Sequence, residues 1–249
     1  MKLFETAMLV SALSLSTALV AEPQHFNSGP EAVQLVELYT SQGCSSCPPA
    51  DALLSSLTHH EDLWHKVIPI AFHVDYWNYL GWRDIFSSPE MTHRQYQHRR
   101  NNNIKSVYTP GFVVNGSEWR GYFRRQGFPE PLTTKAGNLA VTWQNNRALL
   151  SFDNQQARIP AQCHAAIVGL NQVVDIKAGE NRGLTLQHDF TALNLASAQV
   201  NTKNHHYTCE VALGHADELA SAESYALIAW LSDRNMRPIQ ASGGPLKLN

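Results

Sequence analysis

Along the first half of the chain, apolar positions gather into short continuous runs separated by helical patterns. Val33, Leu35, Val36, Leu38 and Tyr39 form the first run, rich in β-branched and aromatic residues as strands are. Leu53, Leu54 and Leu57 then recur at helical spacing. From Lys66 to Trp77 the chain is apolar almost throughout, which fits a strand buried on both faces of a parallel sheet. Together these predict a βαβ unit with a right-handed crossover. A polar helix follows from Pro89 to about Lys105, opened by Ser88-Pro89-Glu90. Val107 to Gly116 returns to strand, and Asn115-Gly116 turns a hairpin toward Trp119.

Beyond Asn138 the pattern changes. Runs around Val141, Leu149, Ile167, Val211 and Ile228 alternate with turns containing Asn, Gly and Asp, the spacing of a small β-sandwich. A domain boundary is expected there, giving one domain over residues 22–137 and a β-rich one over residues 138–249. Residues 1–21 open with Lys2 and run through apolar and small residues to Ala21, as a secretory signal does, and no later stretch is apolar enough for stable membrane insertion. A net charge of −2 and a pI near 6.6 argue against a nucleic-acid surface, which relies on clustered Lys and Arg.

The chemistry is concentrated where the first strand meets the first helix, at Gly43-Cys44-Ser45-Ser46-Cys47-Pro48-Pro49. Free backbone N–H groups and the positive end of a helix dipole favour a thiolate at such a junction, so Cys44 is the expected nucleophile and Cys47 the resolving thiol. Pro48 and Pro49 leave two options: the helix starts at Pro48, placing the dipole closer to Cys47, or its first turn is distorted. A metal half-site and an inert structural pair are the alternatives to redox chemistry. Four cysteines suit an oxidising compartment such as a periplasm. Cys163 and Cys209, each at a strand start, are expected to form a structural disulfide. Tyr76 and Trp77, at the carboxyl end of the second strand, are either a docking surface for a peptide-like partner or packing for a loop.

Cys-x-x-Cys at a strand–helix junction, followed by Thr109-Pro110-x-Phe-Val-Val-Asn-Gly, resembles the thioredoxin superfamily, particularly its DsbA-like periplasmic members. Longer stretches, among them Leu38 to Asp51, Phe72 to Trp77 and Gly179-Glu180-Asn181-x-Gly183, resemble a secreted bacterial family with a thioredoxin-like fold that is itself defined as a domain of unknown function. The resemblance implies an α/β fold, a thioredoxin-like domain followed by a smaller β-rich, sandwich-like domain. It implies a cis Pro110 facing the cysteines and a Thr109 backbone that pairs with an extended substrate. Glu37 resembles in role the buried acid that helps deprotonate the resolving thiol. The expected activity is periplasmic thiol–disulfide exchange with a thiol- or disulfide-containing protein substrate and a redox partner. No cofactor is expected, because the dithiol carries both electrons. The second reading is a non-catalytic binding protein in which the pair is a staple or a metal ligand.

Overall fold

The run Gln34–Thr40 is buried at every position, and so is Val67–His73. These strands, β2 and β3, pair in parallel with Gln34 opposite Val67 and Thr40 opposite His73. Between them lies helix α1, Pro48–Ser55. Helix α2, Pro89–Arg100, starts where Ser88 accepts a hydrogen bond from the Met91 amide and Pro89 fills the first helical position. The computed structural model describes residues 22–153, 158–214 and 222–248. The signal segment expected at residues 1–21 lies outside the described residues.

The βαβ unit does not stand alone. Strand β4 (Gly111–Val114) joins the outer edge of β2, and β5 (Ser117–Trp119) follows it through Asn115-Gly116, both with positive φ. The other edge of β3 receives β11 (Thr191–Gln199); β11 pairs with β8 (Gln162–Leu170), β8 with β14 (Ser224–Ser232) and β14 with β15 (Pro238–Leu246). The result is one eight-stranded mixed sheet in the order β15-β14-β8-β11-β3-β2-β4-β5. A second, five-stranded antiparallel sheet has the order β1-β6-β7-β13-β12. Its strands are Gln24–Asn27, Leu139–Gln144, Arg147–Asp153, His206–Ala212 and Asn201–Lys203 respectively. The hairpin of β9 (Gln172–Asp175) and β10 (Thr185–His188) forms its own two-stranded sheet.

This corrects the fold class expected from the sequence. The chain is not an α/β thioredoxin-like domain followed by a smaller β-rich domain: strands dominate, and four strands from the second half complete the sheet begun by the first. The seam is short, with Thr191 opposite Ala71 and the Ala71 amide donating to the Phe190 carbonyl at 2.8 Å. The physical reason is burial. Strands β8 and β14 are buried along almost their whole length, so they need cover on both faces. The five-stranded sheet covers one face, packing Leu150 and Phe152 against Ile167 and Leu227, while α2 covers the other, bringing Met91 to Ile70 and Trp230. Helix α1 lies on the same face as the five-stranded sheet but over β2 and β3, with Leu54 against Val36, Leu38 and Ala71.

The Cys163–Cys209 disulfide joins β8 of the large sheet to β13 of the smaller one. No helix among the described residues is long and apolar enough to cross a membrane. The two disulfides suit an oxidising compartment outside the cytoplasm.

Candidate functional site

Strand β2 ends at Thr40, and the next seven residues turn tightly into α1. The Cys44 amide donates to the Ser41 carbonyl at 3.1 Å, and the Cys47 amide donates to the Cys44 carbonyl at the same distance. Cys44 and Cys47 form a disulfide with Cα atoms 5.4 Å apart. Helix α1 starts at Pro48, with Cys47 as its N-cap. Of the two options left by the sequence, the dipole therefore lies nearer Cys47. The expected supply of free N–H groups is absent. Pro48 and Pro49 have none, and the Ala50 and Asp51 amides donate to the Cys47 carbonyl at 2.8 and 3.0 Å. The group that does reach Cys44 Sγ is the Ser46 hydroxyl, at 3.4 Å. Both cysteines are buried, Cys44 at 1 % and Cys47 at 0 % exposure, while Ser45 and Ser46 lie open to solvent.

Pro110 follows a cis peptide bond and immediately precedes β4, whose Gly111 pairs with Tyr39. That register sets Pro110 beside the end of β2 from which the cysteine loop springs. Trp77 links the two loops. Its indole N–H donates to the Thr109 hydroxyl at 2.8 Å, and a Cβ on Gly43 would come within 3.1 Å of the Trp77 Cβ. Gly43 thus permits the close approach. The Tyr76 hydroxyl donates to Gln95 Oε1 at 3.1 Å, and Gln95 Nε2 donates to the Tyr108 carbonyl at 2.7 Å. Tyr76 and Trp77, both half-buried, brace the loop before Pro110 from two sides.

Glu37 faces away from the cysteines. Alternation along β2 puts Leu35, Glu37 and Tyr39 toward α2, and Val36, Leu38 and Thr40 toward α1. The Glu37 carboxylate accepts from Arg94 Nε at 2.9 Å and Nη2 at 2.8 Å, from the Tyr39 hydroxyl at 2.8 Å and from His98 Nε2 at 3.2 Å. Burial pushes its carboxyl up, but Arg94 and His98 outweigh that and hold it well below the usual carboxylate range. An acid so firmly ionised is a poor proton shuttle near neutral pH.

The acid on the cysteine side is Asp51, which sequence reasoning passed over. It follows Cys47 by one turn of α1, is 5 % exposed, and accepts from the Thr40 hydroxyl at 3.1 Å. Burial pushes its carboxyl up to about 7, against the opposing influence of His73 and of that hydrogen bond. The signal was present as a carboxylate four residues after Cys47, on the apolar face that Leu54 shares. Near it, His73 Nδ1 and Asp84 Oδ2 form a buried pair at 2.7 Å, and Asp84 also accepts from the Gln42 amide at 2.8 Å. His188 lies 3.8 Å from Asp51, with its ring edge-on to His73 at 4.9 Å between centroids. Burial and the neighbouring His73 push His188 down to about 3, so it is neutral. Among the described residues, no group of three or more His, Cys, Asp or Glu side chains is placed to hold a metal ion.

The turn between β9 and β10 reaches over the cysteine loop. Asn181 Nδ2 donates to the Gln42 carbonyl at 2.9 Å and to the Cys44 carbonyl at 3.0 Å, and the Ser45 amide donates to Glu180 Oε2 at 3.1 Å. The motif Gly179-Glu180-Asn181-x-Gly183 stands out in the sequence, but its place in the fold does not. More than a hundred positions separate it from the cysteines, and no local pattern discloses that contact.

The chain belongs to the family described as "Protein of unknown function (DUF1223)", which matches residues 35–231. No curated protein matches the sequence. Among solved structures it is similar to protein AGR_C_4864 from Agrobacterium tumefaciens, at 26 % identity and a TM-score of 0.57, over 88 % of this chain and 98 % of that one. It also shares its fold with HBP35 of Porphyromonas gingivalis, at 13 % identity and a TM-score of 0.60, over 88 % of this chain and 76 % of that one.

Proposed function

We propose that this member of the DUF1223 family exchanges thiols and disulfides through Cys44 and Cys47 in a periplasmic or secreted setting. The observation that carries the reading is the placement of the pair. Cys47 caps α1, with a buried acid of raised pKa one turn below, and Pro110 lies at the neighbouring loop beside the end of β2. In the forward step a partner thiolate attacks Cys44 Sγ, the bond to Cys47 breaks, and Cys47 leaves as a thiolate that takes up a proton. Asp51, protonated at neutral pH to an appreciable degree, supplies it. A second partner thiolate then displaces Cys44, leaving the partner oxidised and both cysteines reduced. The reverse sequence returns the electrons, with ionised Asp51 accepting the Cys47 proton. No cofactor enters, since the dithiol carries both electrons. The partners are a thiol- or disulfide-bearing protein and a redox partner that resets the pair.

This assigns Cys44 the attacking role on grounds other than a helix N-terminus. Cys47 sits above the acid, so it is the better leaving group, and the Ser46 hydroxyl is at hand for Cys44. The resemblance to the thioredoxin superfamily is confined in this reading to the junction of β2 with α1 and to the loop before β4. The test is turnover of a disulfide-bonded peptide by the full mature chain in the presence of a recycling thiol. Activity that vanishes in Cys44→Ser and persists in the Cys163→Ala/Cys209→Ala double variant supports the reading. Equal turnover by Cys44→Ser overturns it.

One observation favours the second reading, a binding protein stapled by an inert bond: the disulfide has almost no exposed surface.

A further inference from the structure

The turn from Ile176 to Leu184 is shaped to lie across the cysteine loop. Gly179 and Gly183 take positive φ, and the Gly183 amide donates to the Ile176 carbonyl at 2.8 Å, closing the turn on itself. A Cβ on Gly179 would sit 3.0 Å from the Trp82 Cβ, and Trp82 Nε1 donates to Gln42 Oε1 at 2.9 Å. The strands below the turn, β9 and β10, pair with each other and with no other strand among the described residues. Among the described residues this arm therefore joins neither large sheet by a ladder of strand pairs, and side-chain packing and its turn hold it in place. Its grip on the cysteine loop rests on Asn181, 3 % exposed and bonded to two carbonyls, and on Glu180, exposed and bonded to the amide after Cys44.

We propose that Asn181 and Glu180 are positioning residues for exchange at Cys44: they latch this turn across the disulfide, and a partner thiol reaches Cys44 Sγ only when the turn lifts. The inference rests on the exchange reading and resolves its difficulty, for attack on a disulfide sulfur requires access along the bond and the closed form gives almost none. Glu180 carries the latch onto the segment between the two cysteines, where it occupies the Ser45 N–H. The other titratable groups around the loop are Asp51 on α1, Asp84 behind Gln42, His73 on β3 and His188 on β10, with exposed Arg182 on the turn itself. Glu180 is the one among them bonded directly to the Cys44–Cys47 segment outside α1. Because Glu180 is solvated its charge is screened, so the two bonds of buried Asn181 carry most of the latch.

The test is the rate at which a small phosphine reduces each disulfide under native conditions, read by trapping and mass spectrometry in the wild type, Asn181→Ala and Glu180→Ala. Loss of the Asn181 bonds should speed reduction of Cys44–Cys47 by about ten- to a hundredfold, and loss of the Glu180 bond by about threefold. Reduction of Cys163–Cys209 in the same molecules should not change. A merely structural contribution would accelerate both bonds together through global opening, and that result overturns the proposal. So does an unchanged Cys44–Cys47 rate in both variants. Should Asn181→Ala fail to fold, Glu180→Ala at its exposed position still decides, together with hydrogen exchange. The Ser45 amide should be protected in the wild type and exchange faster in Glu180→Ala; equal protection in both counts against the latch. Phosphine reduction needs no protein substrate, so a chain that shows the latch but turns over no peptide disulfide would refute the exchange reading alone.

Discussion

Asp51 stands one helical turn below Cys47, and its amide donates to the Cys47 carbonyl at 3.0 Å. The carboxyl is buried, bonded to Thr40 and pushed up to about 7. In the unfolded chain it would titrate near 3.9. The native state therefore binds more protons between these values. The stability contributed by Asp51 is fully present below about pH 4 and is lost as pH rises through about 7, a change of up to about 4 kcal/mol. Asp51→Asn should remove this slope, giving a variant more stable than the wild type at pH 8 when both are unfolded in urea. The same variant should slow peptide-disulfide exchange by about a hundredfold, because no group then handles the Cys47 proton.

Glu37 and Arg94 form a bidentate pair with almost no exposed surface, and Arg94 lies over the Phe72 and Trp230 rings. Glu37→Gln leaves that guanidinium unpaired and should cost about 3 to 5 kcal/mol in denaturant unfolding. The reduction potential of Cys44–Cys47 should not move, since the pair sits on the opposite face of the sheet. A shifted potential with unchanged stability would restore to Glu37 the role that its sequence position suggested.

Trp77 couples the cysteine loop to the loop before Pro110 through the Thr109 hydroxyl. Trp77→Phe removes this bond while keeping the Cβ that Gly43 approaches. Turnover of a peptide disulfide should fall by about fivefold, in line with a hydrogen bond worth about 1 kcal/mol that positions both loops, while phosphine reduction of the same bond proceeds as in the wild type.

Cys163 and Cys209 close a loop of 46 residues between the two sheets. Replacing both with Ala should lower stability by about 4 kcal/mol in the chain-entropy account, with the potential of the other disulfide unaltered. A change in that potential would mean that the two sheets are coupled to the site.

What the sequence disclosed was local. The parallel pair β2 and β3, the Ser88-Pro89 start of α2 and the Asn115-Gly116 hairpin follow from hydrophobic runs, caps and turn chemistry acting over a few residues. The sheet to which β8 and β14 belong does not. Their apolar runs read equally well as sandwich strands, and only the free edge of β3 decides that they extend the first sheet. At the site, spacing and context single out Cys44 and Cys47 as a pair, and the structure joins them in a disulfide. Glu37 lies on the strand before them, but strand alternation turns it to the other face. Asp51 is hard to single out, because a charged residue in a short helix ordinarily faces solvent. Asn181 and Glu180 reach the loop from across the chain, a contact fixed by the turn of the β9–β10 hairpin.

The most direct test of the central claim is the equilibrium reduction potential of Cys44–Cys47 in glutathione buffers, trapped and read against Cys163–Cys209 in the same molecule. The account predicts a value between about −120 and −270 mV, the range of pairs that exchange with protein partners. A value below about −300 mV, typical of a resistant structural bond, would contradict it and leave the stapled binding protein as the function.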